Sequence, residues 1–321
     1  MTWLWFICGL AVLILGGELL VRNASALALK ANVPPLLVGL TIVAMGTSAP
    51  ELFASLQASW NGDGAIAVGN VLGSNVANLG LALGLTVLVR TVHVQWSELR
   101  IHWWVMILAS VVFMLEVWDL TLGAWDGGIL LLGAMFYLGG QMVLARRHAQ
   151  KGQAQDPAVE DLMDEAGDAS KSYALLTLLL TVGCAALYWG SDVFVTSAKQ
   201  IAMDWGVSTH VVGVTVVAFG TSVPEIAASL TAALRGNSAL SIGNLVGSNI
   251  LNLFLVLGAT ASSAPLAVSK VVPAHDMWWM LGAALLLAPM ILITKGNLGR
   301  GAGVVYIAVY VAYVWLVVVH G

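Results

Sequence analysis

Residues 39–58 read GLTIVAMGTSAPELFASLQA, and residues 213–232 read GVTVVAFGTSVPEIAASLTA. Thirteen of these twenty positions are identical at a constant offset of 174 residues. The same offset aligns residues 65–84, AIAVGNVLGSNVANLGLALG, with residues 239–258, ALSIGNLVGSNILNLFLVLG, and eleven of these twenty positions agree. The chain is therefore a duplicated unit, and each copy places one glutamate inside an apolar stretch.

The composition predicts a multi-pass membrane protein. Of 321 residues, 59% are hydrophobic and only 9% are charged, with a mean hydropathy of +0.90, whereas soluble domains carry about 25% charged residues. About ten apolar segments reach the roughly 20 residues that cross a bilayer. The predicted spans are 3–29, 34–60, 65–89, 101–117, 124–145, 173–203, 208–234, 238–262, 275–294 and 300–319.

Five spans per copy is an odd number, so the second copy enters the membrane from the opposite face and the repeats are inverted. With the N-terminus outside, eleven of the 13 Lys and Arg residues fall on inside segments, as the positive-inside rule requires. The predicted organisation is an N-terminal five-helix repeat at 1–147, an acidic cytoplasmic linker at 148–172 and a C-terminal five-helix inverted repeat at 173–321. Both termini are then outside.

Each copy carries a helix-breaking motif, GTSAPE at 46–51 and GTSVPE at 220–225. Pro50 has no N–H, so the carbonyl of Gly46 loses its helical donor. Broken backbone at membrane depth is tolerated only where it is buried in protein or lines a cavity. Predicted helices 2 and 7 are therefore both broken, in an otherwise all-α fold.

A carboxylate follows each break, Glu51 in the first copy and Glu225 in the second. Charged residues at the centre of a membrane helix cost about 2.5–3.5 kcal/mol on insertion scales, so two at equivalent positions are expected to act together. The pair could neutralise one divalent cation. Without that ion, repulsion and desolvation would favour protons or other cations, which is a physical basis for exchange.

The following predicted helices, GNVLGSNVAN and GNLVGSNILN, add polar stripes at i, i+4 spacing. The stripe residues are Asn70, Ser74, Asn78 and their counterparts Asn244, Ser248, Asn252. The whole set offers only oxygen ligands, which hard cations such as Ca²⁺ prefer, without the imidazole or thiolate that softer metals favour.

Other interpretations fit the sequence less well. A channel needs a continuous pore with weak, multi-ion binding, whereas a buried carboxylate pair suits occlusion. An enzyme would need a nucleophile–base pair, a His metal set or a substrate pocket, and the sequence indicates none of them. A second aligned acidic pair, Glu18 and Asp192, is compatible either with a role in the ion pathway or with structural pairing at an interface.

GTSAPELFAS with GNVLGSNVANLG, and GTSVPEIAASL with GNLVGSNILNLF, resemble the two alpha-repeats of the cation/Ca²⁺ antiporter superfamily. The prokaryotic sodium/calcium exchanger membrane proteins are the branch they resemble most, and the resemblance covers nearly the whole chain. It implies ten helices in two inverted repeats, an ion site between helices 2, 3, 7 and 8, and helices 1 and 6 that slide across this core.

The resemblance also implies four kinds of ligand. The carboxylates that hold Ca²⁺ and share in Na⁺ binding are Glu51 and Glu225. The backbone carbonyls offered to Ca²⁺ are those of Thr47 and Thr221, and those of flanking Na⁺ sites are Ala44 and Ala218. The hydroxyl ligands for Na⁺ are Ser48, Ser222, Ser74 and Ser248, and the polar positions on helices 3 and 8 are Asn78 and Asn252.

The sequence therefore predicts a secondary active antiporter, not an enzyme, that exchanges Na⁺ for Ca²⁺ across a bacterial or archaeal inner membrane. The alternatives are an H⁺/Ca²⁺ antiporter and an antiporter for another divalent cation such as Mn²⁺. Proton-coupled relatives usually carry a Glu soon after the Gly-Asn of helix 3, and here Val71, Leu72 and Gly73 follow. The expected partners are the transported ions and the lipid bilayer, with no cofactor, nucleic acid or obligate protein partner.

Overall fold

Long apolar helices make up most of the computed structural model, which describes residues 1–151, 170–205 and 220–320. In this part of the chain, eight helices are long and apolar enough to cross a membrane, or nine if a bent pair counts as one span. The helices are α1 (Thr2–Ala31), α2 (Pro35–Val38), α3 (Ala44–Thr47), α4 (Ala49–Trp60), α5 (Gly64–Ala77), α6 (Gly84–Val89), α7 (Trp96–Glu116), α8 (Ala124–Lys151), α9 (Tyr173–Asp204), α10 (Val223–Leu234), α11 (Ser238–Leu251), α12 (Gly258–Ser263), α13 (Met277–Ile293) and α14 (Arg300–His320).

The all-α membrane fold is confirmed, and nine of the ten predicted spans correspond to these helices or to the bent pair α2–α4. The tenth, 208–234, is described only from residue 220, and its α10 is too short to cross a membrane alone. The count of ten therefore remains a prediction. In the predicted linker, α8 continues to Lys151, and residues 152–169 lie outside the described part of the chain.

In the described ranges, four segments of wider, π-helical turns interrupt the spans, and the sequence did not predict them. They are Gly39–Val43, Asn78–Leu83, Asn252–Leu257 and Val272–Asp276. Two of them begin at Asn78 and Asn252, which occupy equivalent positions at the 174-residue offset. Such π turns are frequent at functional sites, and here they widen the helix where the predicted polar stripes end.

Short strand pairs join the two halves of the chain. The strand β1 (Val92–His93) pairs antiparallel with β4 (Asn297–Leu298), and β2 (Thr121–Leu122) pairs antiparallel with β3 (Leu266–Ala267). Each pair takes one strand from each half. The halves are therefore tied together at these two loop junctions as well as through their helices.

The apolar interior forms two clusters. The larger contains buried residues of α5, α7, α8, α11, α13 and α14, with Phe113, Leu79 and Tyr306 among the fully buried side chains. The smaller lies along α1 and includes Leu13 and Leu20. The smaller cluster also includes Val223, Ala228 and Ala232 of α10, so α1 and α9 pack against the helix that carries Glu225.

Glycines bring α1 and α9 into backbone contact. A Cβ added at Gly9 would lie 2.6 Å from the backbone nitrogen of Phe194, and one at Gly183 would lie 2.9 Å from that of Leu20. A second aligned pair, Gly16 and Gly190, makes equally close approaches, with Cβ positions 3.0 Å and 2.9 Å from backbone nitrogens of the facing helix. These four residues, the glycine seam, use the close approach that small residues permit between membrane helices.

We expect Gly9→Ala to destabilise the protein, because its methyl group would overlap the backbone of α9; overpacking typically costs about 1–3 kcal/mol. The matched control is Gly140→Ala in α8, where an added Cβ meets nothing within 4 Å and alanine is the better helix former. Thermal unfolding of both purified variants would measure the difference. Equal melting temperatures would contradict the packing role of the seam.

Candidate functional site

The predicted helix breaks lie at Ser48 and Ser222. Segment Pro35–Thr47 meets Ala49–Trp60 at an angle of 42°, with Ser48 between them at φ −85° and ψ 3°. Ser222 has nearly the same backbone, φ −86° and ψ −1°, immediately before α10. A proline early in the next helix fits both breaks, because the first N–H groups of a helix have no intrahelical acceptor.

Each break places a carboxylate in the first turn of the following helix. Glu51 lies in the first turn of α4 and Glu225 in the first turn of α10, and both side chains are fully buried. The positive end of a helix dipole favours negative charge at this position. The break therefore partly offsets the cost of burying each carboxylate while leaving it open to a cation.

The two carboxylates have different hydrogen-bond environments. Oε1 of Glu225 accepts hydrogen bonds from the hydroxyls of Ser48 at 3.1 Å and Ser248 at 3.5 Å. Neither oxygen of Glu51, nor Oε2 of Glu225, accepts one from the described residues, and the buried hydroxyl of Ser222 also lacks a partner there. Buried oxygens of this kind are unusual in proteins and are suited to binding a cation.

Two series of side-chain hydrogen bonds connect the halves and hold the threonines of the helix breaks. Thr47 donates its hydroxyl to Oδ1 of Asn244 at 3.1 Å, and Asn244 donates to Ser229 at 2.9 Å. In the other half, Thr221 donates to Oδ1 of Asn70 at 3.3 Å, and Asn70 donates to the hydroxyl of Ser55 at 3.1 Å. The threonine side chains are thus engaged with the facing helix.

A serine of each polar stripe contacts the threonine at the helix break of the other half. The hydroxyls of Ser74 and Thr221 are hydrogen-bonded at 3.1 Å, and the hydroxyl oxygens of Ser248 and Thr47 lie 3.4 Å apart. The structure therefore brings α5 against the second break and α11 against the first. Of the two predicted alanines, Ala44 is buried and its carbonyl accepts a hydrogen bond from the Ser48 N–H, while Ala218 lies outside the described residues.

The predicted Asn78 and Asn252 are fully buried, and the structure adds Asn75 and Asn249, which the sequence reading missed. These four side chains form hydrogen bonds between the two halves, two to side-chain oxygens and two to backbone carbonyls. The signal was present in the sequence, since both motifs read GSN followed by a second Asn three residues later. Spacing of i, i+3 places the two amides of each motif on one helix face.

The aligned acids Glu18 and Asp192 have different environments. Glu18 forms an ion pair with Arg235, which follows α10, and lies 3.9 Å from Arg22 on its own helix. Asp192 is exposed. Of the two roles left open by the sequence, Glu18 therefore takes structural pairing, and it connects α1 to the end of the helix that carries Glu225.

We expect Glu18→Gln to lower the melting temperature because it removes one partner of a partly buried, charge-assisted contact. Asp192→Asn, the sequence-equivalent change, should have little effect. The exchanged pair Glu18→Arg with Arg235→Glu should regain part of the lost stability. If Glu18→Gln and Asp192→Asn behaved alike in thermal unfolding, the assigned pairing would be wrong.

Helices of these lengths around a buried oxygen cluster define a multi-pass membrane transport protein. The chain belongs to the sodium/calcium exchanger protein family, whose model matches residues 1–143 and 175–319. This family consists of transporters and not of enzymes.

Three prokaryotic relatives match along nearly their whole length. The putative antiporter CaxA of Alkalimonas amylolytica is 34% identical, covering 98% of this chain and 97% of CaxA. The inner membrane protein YrbG of Escherichia coli K12 is 32% identical, covering 98% and 95%, and the sodium/calcium exchanger MaX1 of Methanosarcina acetivorans is 29% identical, covering 97% of each. A solved structure of the sodium-calcium exchanger NCX_Mj, soaked with Na⁺ and Sr²⁺, superposes with a TM-score of 0.78 at 29% identity, covering 98% of this chain and 97% of the other.

Proposed function

We propose that this protein exchanges Na⁺ for Ca²⁺ across the membrane by alternating access to one shared site between Glu51 and Glu225. The observation that carries the proposal is the pair of fully buried carboxylates, each at a helix break, within a cluster of hydroxyl and amide oxygens. This donor set fits Ca²⁺, which takes 6–8 oxygen ligands in a flexible shell.

Charge balance gives the site its exchange chemistry. One Ca²⁺ neutralises both carboxylates, and Na⁺ ions can take its place on the same oxygens. The empty site would hold two like charges in an apolar interior, which is unfavourable. The protein would therefore change access with a cation bound and resist doing so empty, and this couples the movement of the two ions.

Individual ligand roles follow from the contacts. Neither oxygen of Glu51 accepts a hydrogen bond within geometric limits from the described residues, so Glu51 is the stronger candidate for direct Ca²⁺ contact. Thr47 and Thr221 have their hydroxyls bonded to the facing helices, which leaves their backbone carbonyls for the ion. Ser48, Ser74, Ser222 and Ser248 supply hydroxyls, and Asn78 and Asn252 supply amide oxygens.

Sodium as the coupling ion is supported by the names of two relatives, MaX1 and NCX_Mj, which are described as sodium/calcium exchangers. The solved structure was soaked with Na⁺ together with Sr²⁺, a larger analogue of Ca²⁺. We extend to this chain an inverted arrangement of repeats 1–147 and 173–321 around linker 148–172, in which α1 and α9 move together across the core.

We further propose a prokaryotic inner-membrane location with both termini outside, supported by the distribution of Lys and Arg and by the relative YrbG. An alkaline phosphatase fused after residue 321 should then be active, because this enzyme requires export from the cytoplasm. A fusion that stays inactive while the fused chain accumulates in the membrane would reverse the orientation.

The function is tested by ⁴⁵Ca²⁺ uptake into proteoliposomes loaded with Na⁺, K⁺ or acidic buffer and diluted into Na⁺-free medium. We expect uptake that needs internal Na⁺ and persists with a protonophore. Uptake driven only by the pH gradient would instead establish the proton-coupled alternative. No ⁴⁵Ca²⁺ uptake under any load, together with ⁵⁴Mn²⁺ uptake by the same vesicles, would establish that the protein transports a different divalent cation.

In the same assay, Glu51→Gln and Glu225→Gln should reduce uptake to the level of empty vesicles, because each removes one of two charges that balance Ca²⁺. The matched control is Glu116→Gln at the end of α7, whose carboxylate oxygens are also buried without hydrogen bonds from described residues but lie outside the polar cluster. Near-normal uptake by either site variant would contradict the assignment. A similar loss in Glu116→Gln would show that buried carboxylates matter here for folding.

A further inference from the structure

Four asparagines at the ends of α5 and α11 and the starts of the following π segments are linked by hydrogen bonds, here called the asparagine quartet: Asn75, Asn78, Asn249 and Asn252. Asn75 donates its amide to the backbone carbonyl of Asn249, and Asn249 donates to that of Asn75, both at 3.2 Å. Asn78 donates to Oδ1 of Asn249, and Asn252 donates to Oδ1 of Asn75, both at 3.1 Å. Each contact crosses from one half of the chain to the other.

The backbone bonds fix which way each amide faces. A carbonyl oxygen only accepts, so the group of Asn249 that meets the Asn75 carbonyl must be its NH₂. Its Oδ1 then faces Asn78, which must offer its own NH₂ in return. The Oδ1 of Asn78 is consequently turned away from the quartet. In the same way, the NH₂ of Asn75 meets the Asn249 carbonyl, so the Oδ1 of Asn75 faces the NH₂ of Asn252. The Oδ1 of Asn252 is therefore also turned away from the quartet.

The outward oxygens are buried without partners. Oδ1 of Asn78 and Oδ1 of Asn252 accept no hydrogen bond from the described residues, and both side chains are fully buried. The π segment that begins at Asn78 packs against α10, which carries Glu225, and the segment that begins at Asn252 packs against α4, which carries Glu51. Each unpartnered oxygen thus belongs to a segment packed on a carboxylate-bearing helix.

A free amide near a carboxylate would take the opposite orientation. Its NH₂ would donate to the carboxylate in a charge-assisted hydrogen bond, which is stronger than a neutral one. That bond would occupy carboxylate oxygens and present hydrogens to an arriving cation. Because the quartet holds the NH₂ groups of Asn78 and Asn252, these groups do not compete with the cation for the carboxylates. The amide oxygen is then the atom that each of the two residues presents to the cation.

We propose that Asn75 and Asn249 are positioning residues that hold the amide oxygens of Asn78 and Asn252 toward the transported cation. The inference rests on the proposed function of the Glu51–Glu225 site. Asn75 and Asn249 act through their partners without touching the ion. Since each acts on a residue of the other half, neither half orients its own amide ligand.

The test is a double-mutant cycle on the Ca²⁺ concentration that half-saturates Na⁺-driven uptake. Asn249→Ala should raise this concentration about tenfold, as loss of a residue that orients a metal ligand does, with a smaller change in maximal rate. In an Asn78→Ala background, the same change should have less than about a twofold effect, because residues that act through one another are not additive.

Two comparisons separate positioning from general damage. Asn249→Ala combined with Asn252→Ala should be close to additive, because Asn249 accepts from Asn78 and not from Asn252. Thr260→Ala, on the same span, removes a hydroxyl that bonds within that span to the Val256 carbonyl and should leave the half-saturating concentration unchanged. If Asn249→Ala fails to fold, Asn75→Ala with Asn252→Ala gives the equivalent cycle.

The outcomes distinguish the two proposals. Wild-type vesicles without Na⁺-driven Ca²⁺ uptake would contradict the proposed function and the inference with it. Two results with an active wild type would overturn the positioning role alone. One is additive effects of Asn249→Ala and Asn78→Ala on the half-saturating Ca²⁺ concentration. The other is an unchanged half-saturating concentration in both Asn249→Ala and Asn75→Ala. Non-additivity confined to the bonded pairs would support it.

Discussion

Burial of two carboxylates in an apolar interior is the constraint on which the rest of the structure depends. Among the described residues, neither Glu51 nor Glu225 has a basic partner, so helix termini, hydroxyls and the proposed cation offset the cost. The break before each carboxylate supplies the positive end of a helix. The Gly, Ser and Asn residues around it let α5 and α11 approach the breaks closely enough to supply oxygens.

Each half completes the site of the other. Ser48 of the first half bonds to Glu225 of the second, and the threonines of both breaks bond to the facing helix. The short strands β1–β4 and β2–β3 repeat this exchange at the loops. A half-chain would therefore leave buried polar groups without partners, which is costly, so we infer that the two halves fold into one inseparable core.

The sequence predicted the parts of this structure that depend on composition and local chemistry. Spans follow from apolar length, and the breaks at Ser48 and Ser222 follow from Gly and Pro at fixed spacing. The pairing of Glu18 with Arg235 could not be predicted, because the partners are 217 residues apart and Asp192, its aligned counterpart, forms no ion pair with any described residue. The asparagine quartet and the glycine seam depend likewise on which helices meet, although GSN and the repeated Gly spacing were visible as patterns.

The glycine seam is also relevant to the uncoupled leakage of ions. In the alternating access that we propose, α1 and α9 are joined backbone to backbone and move as one unit, so a displacement that opens the ion site to one membrane face closes it to the other. A state open to both faces at once would require α1 and α9 to separate along Gly9, Gly16, Gly183 and Gly190. The ratio of coupled to uncoupled ion flow is then governed by four residues that have no side chain and never meet an ion.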